Sequence, residues 1–312
     1  MEVFMAYVDL TLREFQNRFN TEKACLDAVF RARWPRGFVC PKCGHNDGIR
    51  LQSRIRIVEC SSCHRQTSIT SGTLFHRSHL SLVSWFLSIY LFAKDKGGAS
   101  AVRLSKQVGM SYPTAWFVLQ RLRIAMQSRD EHLTLAGYIE LDEAFFGGRS
   151  RRGPGRKSPV ANKKTILVLV ESEGIRAGNL VMKVIENAQY ENLKPIIESK
   201  VESEPGGQWF RSDAWGAHHV VMHYGHKINM KHVFDQDKDL RCVSLAISLA
   251  KRFFKGTYHH FCKIHMQRYL DEFSYRWNRR SLFEELPYHL LTASVLHDPV
   301  QYSKLIAFRK PA

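Results

Sequence analysis

The sequence predicts a multidomain α+β protein whose N-terminal part is helical and cysteine-rich and whose C-terminal part is an α/β domain. Two observations predict this division. Apolar residues follow helical spacing up to about residue 127, interrupted by a stretch with four cysteines, and from Gly137 onward they form short runs typical of strands. With 312 residues, 44% of them apolar, the chain can bury two or three separate cores.

The charge of the chain indicates a polyanionic partner. The formal net charge is +17, the isoelectric point is about 9.7, and the basic residues cluster. Nucleic acid is therefore the expected partner, and a basic surface kept for solubility is the alternative. No apolar run reaches the roughly 18 residues of a membrane span. The first 15 residues lack the basic start and apolar core of a secretory signal, so we expect an intracellular protein.

The cysteine-rich stretch predicts a zinc ribbon. Cys40 and Cys43 form one CxxC pair, and Cys60 and Cys63 form a second pair after sixteen intervening residues. Four thiolates at this spacing suit a structural Zn²⁺ ion, whereas a redox CxxC needs only one pair. Gly44 permits the tight turn that follows the first pair. Three other cysteines stand singly in helical stretches and are expected in the core, namely Cys25, Cys242 and Cys262.

Helices are predicted on both sides of the ribbon. Residues 11–34 predict two helices broken at Asn20-Thr21, with Thr21 as the N-cap of the second, and residues 80–94 predict a buried helix. Residues 98–127 predict a pair of helices with Gly109 between them, which is typical of a DNA-reading helix-turn-helix.

The second helix of this pair would present its outer face to DNA. Ser111 can cap it, and Pro113 is tolerated in its first turn. The expected buried face consists of Val108, Met110, Trp116, Leu119 and Leu122. The residues left to face outward as candidate DNA contacts are Tyr112, Thr114, Arg121 and Arg123.

After Gly137 the sequence alternates strand and helix patterns. Strands are predicted at residues 138–146, 164–172, 178–186, 208–213 and 226–233. Helices are predicted at residues 189–201, 240–254 and 263–279. This succession is typical of a mixed α/β domain.

A basic segment separates the first two of these strands. Residues 149–164 contain seven Lys or Arg residues, no acidic residue, and Gly and Pro at the breaks. We interpret it as a flexible arm that orders on a phosphate backbone; a solvated loop is the alternative. Its candidate DNA contacts are Arg151, Arg152, Arg156 and Lys157.

Two aspartates stand where predicted strands end. Asp142 closes the stretch "YIELD" and is followed by Glu143, while Asp213 closes "QWFRSD" and is followed by Trp215. Carboxylates at the ends of neighbouring strands can hold Mg²⁺ ions and, through them, a phosphate. Aspartates that only cap turns are the alternative interpretation.

Several blocks of the chain resemble bacterial insertion-sequence transposases. The catalytic domain of that family is similar to "IELDEAFFGGR", "SDAWGAH" and "KGTYHHFCKIHMQRYLDEFSYRWNRR", and its N-terminal part to "RWPRGFVCPKCG" and "TSITSGTLFHRSHLSLVSWFLSIYLFA". The blocks keep the family's order over roughly residues 10–285. The resemblance implies a zinc ribbon followed by a DDE catalytic domain of ribonuclease H-like fold.

The resemblance also implies the site residues. The first two acids of the family fall on Asp142 and Asp213, which would hold Mg²⁺ or Mn²⁺. The third acid, seven residues before a basic residue on a helix, falls on Ser244, and the basic residue falls on Lys251. A serine brings no negative charge, so weakened or absent catalysis is expected. Two upstream acids are candidates for a relocated ligand, namely Asp237 and Asp239.

Three functions follow from this interpretation. The favoured one is a transposase that binds terminal repeats, cuts DNA and joins the released 3′ hydroxyl to a target. The alternatives are an inactive, transposase-derived DNA-binding protein and a metal-dependent ribonuclease H-like nuclease. Cutting two ends requires a homodimer or a larger assembly on double-stranded DNA, and the expected location is the nucleoid in the bacterial cytoplasm.

The predicted organisation has five parts. They are an N-terminal helical segment (1–36), the zinc ribbon (37–78), a helical region with the helix-turn-helix (79–130), the catalytic domain (137–285) and a C-terminal tail (286–312).

Overall fold

The computed structural model describes residues 10–147, 163–213, 215–231, 239–258 and 263–306. The chain divides into two compact units. Residues Met1–Arg129 and Ser281–Ala312 form the first unit, and Asp130–Arg280 form the second. The segment after residue 280, interpreted from sequence as the end of the catalytic domain and a separate tail, thus belongs to the N-terminal unit. Among the described helices, none is long and apolar enough to cross a membrane.

The chain opens with two short capped helices, α1 (Leu12–Arg18) and α2 (Glu22–Arg33). The side chain of Thr11 accepts the backbone N–H of Glu14, whose carboxylate accepts the N–H of Thr11 in return. Thr21 caps α2 by accepting the N–H of Ala24, as the sequence predicted. These caps satisfy backbone donors that the first turn of a helix leaves unpaired.

The cysteine-rich stretch forms a small antiparallel sheet. Its three strands, in the order β1-β2-β3, are β1 (Gly48–Arg50), β2 (Ile57–Cys60) and β3 (Gln66–Ser68). Cys40 and Cys60 are buried and Cys43 is exposed. The four sulfur atoms of the two CxxC pairs lie within 4.8 Å of one another. Two of the sulfur pairs, Cys40–Cys63 and Cys43–Cys60, are each 3.6 Å apart.

The two cysteine knuckles repeat one backbone geometry. The N–H of Gly44 donates to the carbonyl of Cys40 at 2.9 Å, and the N–H of His64 donates to that of Cys60 at 3.1 Å. Gly44 has φ +72° and His64 has φ +57°, so the second knuckle places a histidine where the first uses glycine. A tetrahedral Zn²⁺ with Zn–S bonds of about 2.3 Å would separate its sulfurs by about 3.8 Å. The cluster therefore fits a structural zinc ion.

Helices make up the rest of the first unit. They are α3 (Leu82–Lys94), α4 (Ala101–Val108), α5 (Tyr112–Arg129), α9 (Leu286–Leu296) and α10 (Tyr302–Ile306). Helix α3 carries the buried Trp85, Phe86 and Phe92. Gly109, with φ +75°, ends α4, and Ser111 accepts the N–H of Thr114 at the start of α5. This is the predicted helix-turn-helix connection.

Two of the predicted DNA contacts on α5 do not face outward. Arg123 is 1% exposed, with its guanidinium 5.6 Å from the ring centre of Phe92. Arg121 is partly buried and donates to the carbonyls of Leu74 and Val300. The prediction that these arginines face outward is wrong, because the segment after α9 returns to Arg121 and α3 packs against Arg123. The residue pattern of α4 and α5 alone cannot reveal a contact with a segment so distant in sequence.

The outer side of the helix-turn-helix is shorter than predicted. Tyr112 is 54% exposed and Thr114 is half-buried, so the predicted contacts that remain accessible lie at the N-terminal end of α5. Of the predicted buried face, Leu119 and Leu122 are buried. The other three members are only half-buried, namely Val108, Met110 and Trp116.

The second unit is built on a five-stranded mixed sheet. Its strands are β4 (Tyr138–Phe146), β5 (Lys164–Glu173), β6 (Arg176–Ile185), β7 (Trp209–Asp213) and β8 (Lys227–Lys231). Their spatial order is β6-β5-β4-β7-β8, with β5 antiparallel to both neighbours and β7 parallel to β4 and β8. This order and direction are those of the ribonuclease H-like fold.

Helices cover both faces of the sheet. They are α6 (Tyr190–Lys200), α7 (Arg241–Thr257) and α8 (Met266–Asn278). Alternate residues of β4 divide between two cores: Ala144 and Phe146 pack with α7 and α8, while Ile139 and Leu141 pack with α6 and a 3-10 helix (Gly216–Tyr224). Side chains of successive strand residues point to opposite faces, so this alternation fixes which β4 residues face α7.

The geometry of the cysteine cluster predicts that zinc holds the ribbon together. Cys60→Ser should lower the zinc content from about one ion per chain to near zero and expose residues 37–78 to limited proteolysis, because so small a sheet has little core of its own. Elemental analysis and peptide mapping measure the two effects. Cys25→Ser, at a buried cysteine outside the cluster, is the control and should keep its zinc. Full zinc content in Cys60→Ser would contradict the assignment.

Candidate active site

An open cavity of about 540 Å³ lies in the second unit. It is lined by carboxylates, two hydroxyls, one lysine and apolar side chains, namely Asp142, Glu143, Asp213, Ser244, Ser248, Lys251, Phe145, Ala188, Trp215 and Ile247. The four residues that the resemblance singled out, Asp142, Asp213, Ser244 and Lys251, are therefore all in one place.

Strand pairing brings the two aspartates together. β4 and β7 are parallel and hydrogen-bonded, and Leu141 pairs with Ser212. The next residues, Asp142 and Asp213, therefore stand side by side where β7 ends. Both lie on the face of the sheet that α7 covers, since they alternate with the opposite-facing Leu141 and Ser212.

Helix α7 supplies the opposite wall of the cavity. Ser244, Ile247, Ser248 and Lys251 follow the spacing i, i+3, i+4 and i+7, which places them in one stripe along the helix. Lys251 is exposed, so its charge is available to an anion in the cavity. The shared face of Ser244 and Lys251 that the sequence predicted is what the structure shows.

A buried carboxylate fixes the start of α7. The helix has no side-chain cap of its own at Leu240. Instead Glu140, 3% exposed and two residues before Asp142 on β4, accepts the N–H of Val243 at 2.9 Å. A carboxylate at a helix N-terminus satisfies an unpaired donor and complements the helix dipole. Glu140 thus ties the strand that carries Asp142 to the turn that carries Ser244.

The site concentrates negative charge where water is scarce. Burial raises the pKa of Asp142 to about 6, and the charges of Glu143 and Asp213 act in the same direction, against a hydrogen bond from the N–H of Glu143. A carboxylate whose pKa is raised by burial and by neighbouring negative charges is stabilised in its charged form by a cation. The donor set of closely placed carboxylate and hydroxyl oxygens fits a hard divalent cation such as Mg²⁺ or Mn²⁺.

A histidine that sequence reasoning missed joins two of the carboxylates. His218 is fully buried, with Nε2 2.6 Å from Oε1 of Glu143 and Nδ1 3.2 Å from Oδ1 of Asp213. The first contact is a hydrogen bond, and the second is an ion-pair contact without hydrogen-bond alignment. Burial alone would lower the pKa of His218, but these two partners outweigh it and raise the pKa to about 9. The sequence signal was its place at the end of the family-like block "SDAWGAH", five residues after Asp213.

Other candidate residues lie elsewhere. Asp239, weighed as a relocated ligand, is not among the cavity's described lining residues, and its carbonyl accepts from Arg211. Two acids of α8 have structural partners: Asp271 accepts from Gln267, and Glu272 accepts from Tyr258 and Arg276. The single cysteines Cys25 and Cys242 are buried. Candidates outside the described residues are Arg151, Arg152, Arg156, Lys157, Asp237 and Cys262.

Comparison with known proteins agrees with this site. Fold and cavity together define the class of ribonuclease H-like domains with an acidic cavity. Residues 134–278 match the model of the ISXO2-like transposase domain, and residues 20–66 match that of the transposase zinc-ribbon domain. The chain belongs to the family of insertion-sequence transposases that carry these two domains.

Individual relatives are more distant. An uncharacterized protein in transposable element ISH50 of Halobacterium salinarum is 28% identical over 152 residues, which are 46% of this chain. The chain spans about half the length of that relative, 50%. Among solved structures, the Mos1 strand transfer complex is similar at 11% identity and a TM-score of 0.30, over 67% of this chain and 77% of the other. A simian T-cell lymphotropic virus intasome is similar at 10% identity and a TM-score of 0.30, over 61% and 67%.

The raised pKa of Asp142 predicts a stability cost in the absence of divalent cations. The folded protein binds this proton more tightly than the unfolded chain, so stability falls as the pH rises from 3.8 to about 6 and stays lower above it. At pH 7.5 without Mg²⁺, Asp142→Asn should therefore be more stable than the natural protein and unfold at a higher urea concentration. The gain in the free energy of unfolding should be at most about 3 kcal/mol, at about 1.4 kcal/mol per pKa unit.

Added Mg²⁺ should reverse this order. It should stabilise the natural protein and leave Asp142→Asn nearly unchanged, because only the former binds the ion well. Glu173→Gln, at an exposed carboxylate at the end of β5, is the matched control and should behave as the natural protein does. A natural protein more stable than Asp142→Asn without Mg²⁺ would show that Asp142 carries no such cost.

Proposed function

We propose that the protein is the transposase of an insertion sequence, which binds the terminal repeats of its element and carries out cation-dependent DNA strand cleavage and strand transfer. The observation that carries this proposal is the pairing of Asp142 with Asp213 in a cavity whose other wall presents Lys251. Membership of the transposase family supplies the substrate class.

Five of the lining residues have a task in this reaction. Asp142 and Asp213 hold the divalent cations, Mg²⁺ or Mn²⁺, which when bound activate a water or a 3′ hydroxyl and stabilise the leaving oxygen. Lys251 binds a DNA phosphate at the opposite wall as a point charge. The exposed rings of Phe145 and Trp215 at the cavity can pack against the nucleotides next to the cut.

Ser244 limits the activity. Its hydroxyl can contact a phosphate or a water, but it brings no negative charge to the cation site. A carboxylate at this position on α7 would face Asp142 and Asp213 across the cavity. The natural protein is therefore a slow enzyme in this proposal, and this same residue favours the second candidate function, an inactive DNA-binding protein derived from a transposase.

The first unit binds the DNA ends in this proposal. We assign the reading surface to the start of α5, where Tyr112 on α5 and Arg103, Lys106 and Gln107 on α4 are exposed. In a helix-turn-helix the N-terminal residues of the second helix contact base edges, and the first helix contacts the backbone. The burial of Arg123 and the partial burial of Arg121 support assigning the reading contacts to this end of α5.

Strand cleavage tests the function. The full chain is incubated with duplexes that carry the terminal repeats flanking its gene, with Mg²⁺ or Mn²⁺, and 3′-end cleavage and joined products are resolved on gels. We expect slow cleavage by the natural protein, a loss of roughly two orders of magnitude or more in Asp142→Asn, and a faster reaction in Ser244→Glu.

The outcomes separate the candidates. Product from Ser244→Glu but none from the natural protein supports the inactive DNA-binding protein. Product from neither, although both bind the repeats, contradicts the enzymatic proposal. Activity that survives Ser244→Ala but is lost in Asp239→Ala would show that the third ligand has moved to Asp239.

DNA affinity tests the assignment of the reading surface. Tyr112→Ala should weaken binding to the terminal repeats more than to unrelated duplexes, whereas Lys106→Ala should weaken both and lower the slope of log K against log salt by about one. Fluorescence anisotropy over a salt series measures both effects. Gln127→Ala, exposed near the other end of α5, is the control. Equal losses in Tyr112→Ala for both duplexes would contradict base reading at this residue.

A further inference from the structure

The contact chain Glu143–His218–Asp213 has no role in the function proposed so far. A fully buried imidazole stands between a carboxylate that lines the cavity and one of the two aspartates that hold cations. Buried charged and polar groups destabilise a fold unless they are paired. So specific an arrangement beside a catalytic site therefore calls for an explanation beyond packing.

The fold holds the imidazole rigidly. His218 lies after β7, in the 3-10 helix that begins at Gly216. Its neighbours Val220 and Val221 are fully buried in the core beneath the sheet. With this segment anchored, the ring lies against Glu143 in the middle of β4 and Asp213 at the end of β7.

Asp213 is held from two directions at one oxygen. Its Oδ1 accepts the N–H of Trp215 at 3.2 Å and contacts Nδ1 of His218 at 3.2 Å. The indole of Trp215 in turn donates to the carbonyl of Ala188 at 2.8 Å. Asp142 is held in the same manner on one side, where its Oδ1 accepts the N–H of Glu143 at 2.8 Å.

We propose that His218 is a positioning residue that sets the orientation of Asp213 for cation binding, and that Glu143 anchors His218. The inference rests on the proposed function, since it concerns the same cations. Partners that orient a metal ligand through hydrogen bonds change metal affinity by about 10- to 100-fold when removed. With no acid at position 244, orientation of the remaining carboxylates has a larger share in holding the ion.

Two substitutions of His218, by Asn and by Gln, distinguish a positioning role from an effect of charge or packing. The amide of Asn reaches the place of Nδ1 in an imidazole, and the amide of Gln reaches that of Nε2. His218→Asn therefore keeps a polar group beside Asp213, which Nδ1 contacts at 3.2 Å, whereas His218→Gln can reach only Glu143. Both remove the imidazole's charge and leave a polar group in the buried site, so they differ mainly in which carboxylate they hold.

The experiment measures Mn²⁺ binding by the full-length, zinc-loaded protein. Free Mn²⁺ is counted by electron paramagnetic resonance during titration, without DNA, and folding of each variant is checked by circular dichroism and thermal melting. We expect Mn²⁺ affinity to fall about 10- to 100-fold in His218→Gln and distinctly less in His218→Asn. Glu143→Gln, which keeps an oxygen to accept from His218, should lose less affinity than Glu143→Ala.

The outcomes decide the proposal. Equal Mn²⁺ affinity in His218→Gln and the natural protein overturns it, and so does equal loss in His218→Gln and His218→Asn. Tighter binding in both variants also overturns it, because the imidazole would then act as a positive charge that competes with the cation. If one His218 variant fails to fold, the Glu143 pair decides. Asp142→Asn distinguishes failure of the positioning role from failure of the proposed function. If Asp142→Asn also leaves Mn²⁺ binding unchanged, the cation site of the proposed function is contradicted.

Discussion

The parallel pairing of β4 with β7 is the constraint on which the site depends. It joins segments about seventy residues apart in sequence and places Asp142 beside Asp213 through the register Leu141–Ser212. A shift of one residue would turn every side chain of β7 to the other face and separate the carboxylates. The apolar residues Ile139, Leu141 and Phe210 are buried on the core side, so the burial that stabilises the sheet also keeps this register.

The second wall of the site depends on a single buried carboxylate. Glu140 lies on the same face of β4 as Asp142 and accepts from the N-terminal turn of α7. Movement of α7 along its axis would leave the buried Val243 N–H unpaired, at a cost of about 1–3 kcal/mol. The stripe from Ser244 to Lys251 therefore stays opposite the aspartates. The position of α7 does not depend on whether residue 244 is an acid.

The sequence correctly predicts the features that depend on residues close together in the chain. Strand β4 matches its predicted range, α7 begins one residue after its predicted start, and the seven-residue spacing placed Ser244 and Lys251 on one face. The failures all arose from contacts distant in sequence. Arg121 was assigned to the surface, although its guanidinium donates to the carbonyl of Val300, 179 residues later. His218 gave no periodic signal, and only the meeting of β4 and β7 shows that it bridges two acids.

The electrostatics of the site oppose the stability of the fold around it. Asp142, Glu143 and Asp213 crowd their charges in a cavity that raises the pKa of Asp142, and the one buried cation among them is the imidazolium of His218. Such repulsion persists in a folded protein only where surrounding structure compensates for it, as the paired strands and the Glu140 contact do here. A chain that had lost all use for cations would gain stability by losing these acids. The proposed cation binding accounts for this cost, and a purely structural role for the three acids does not.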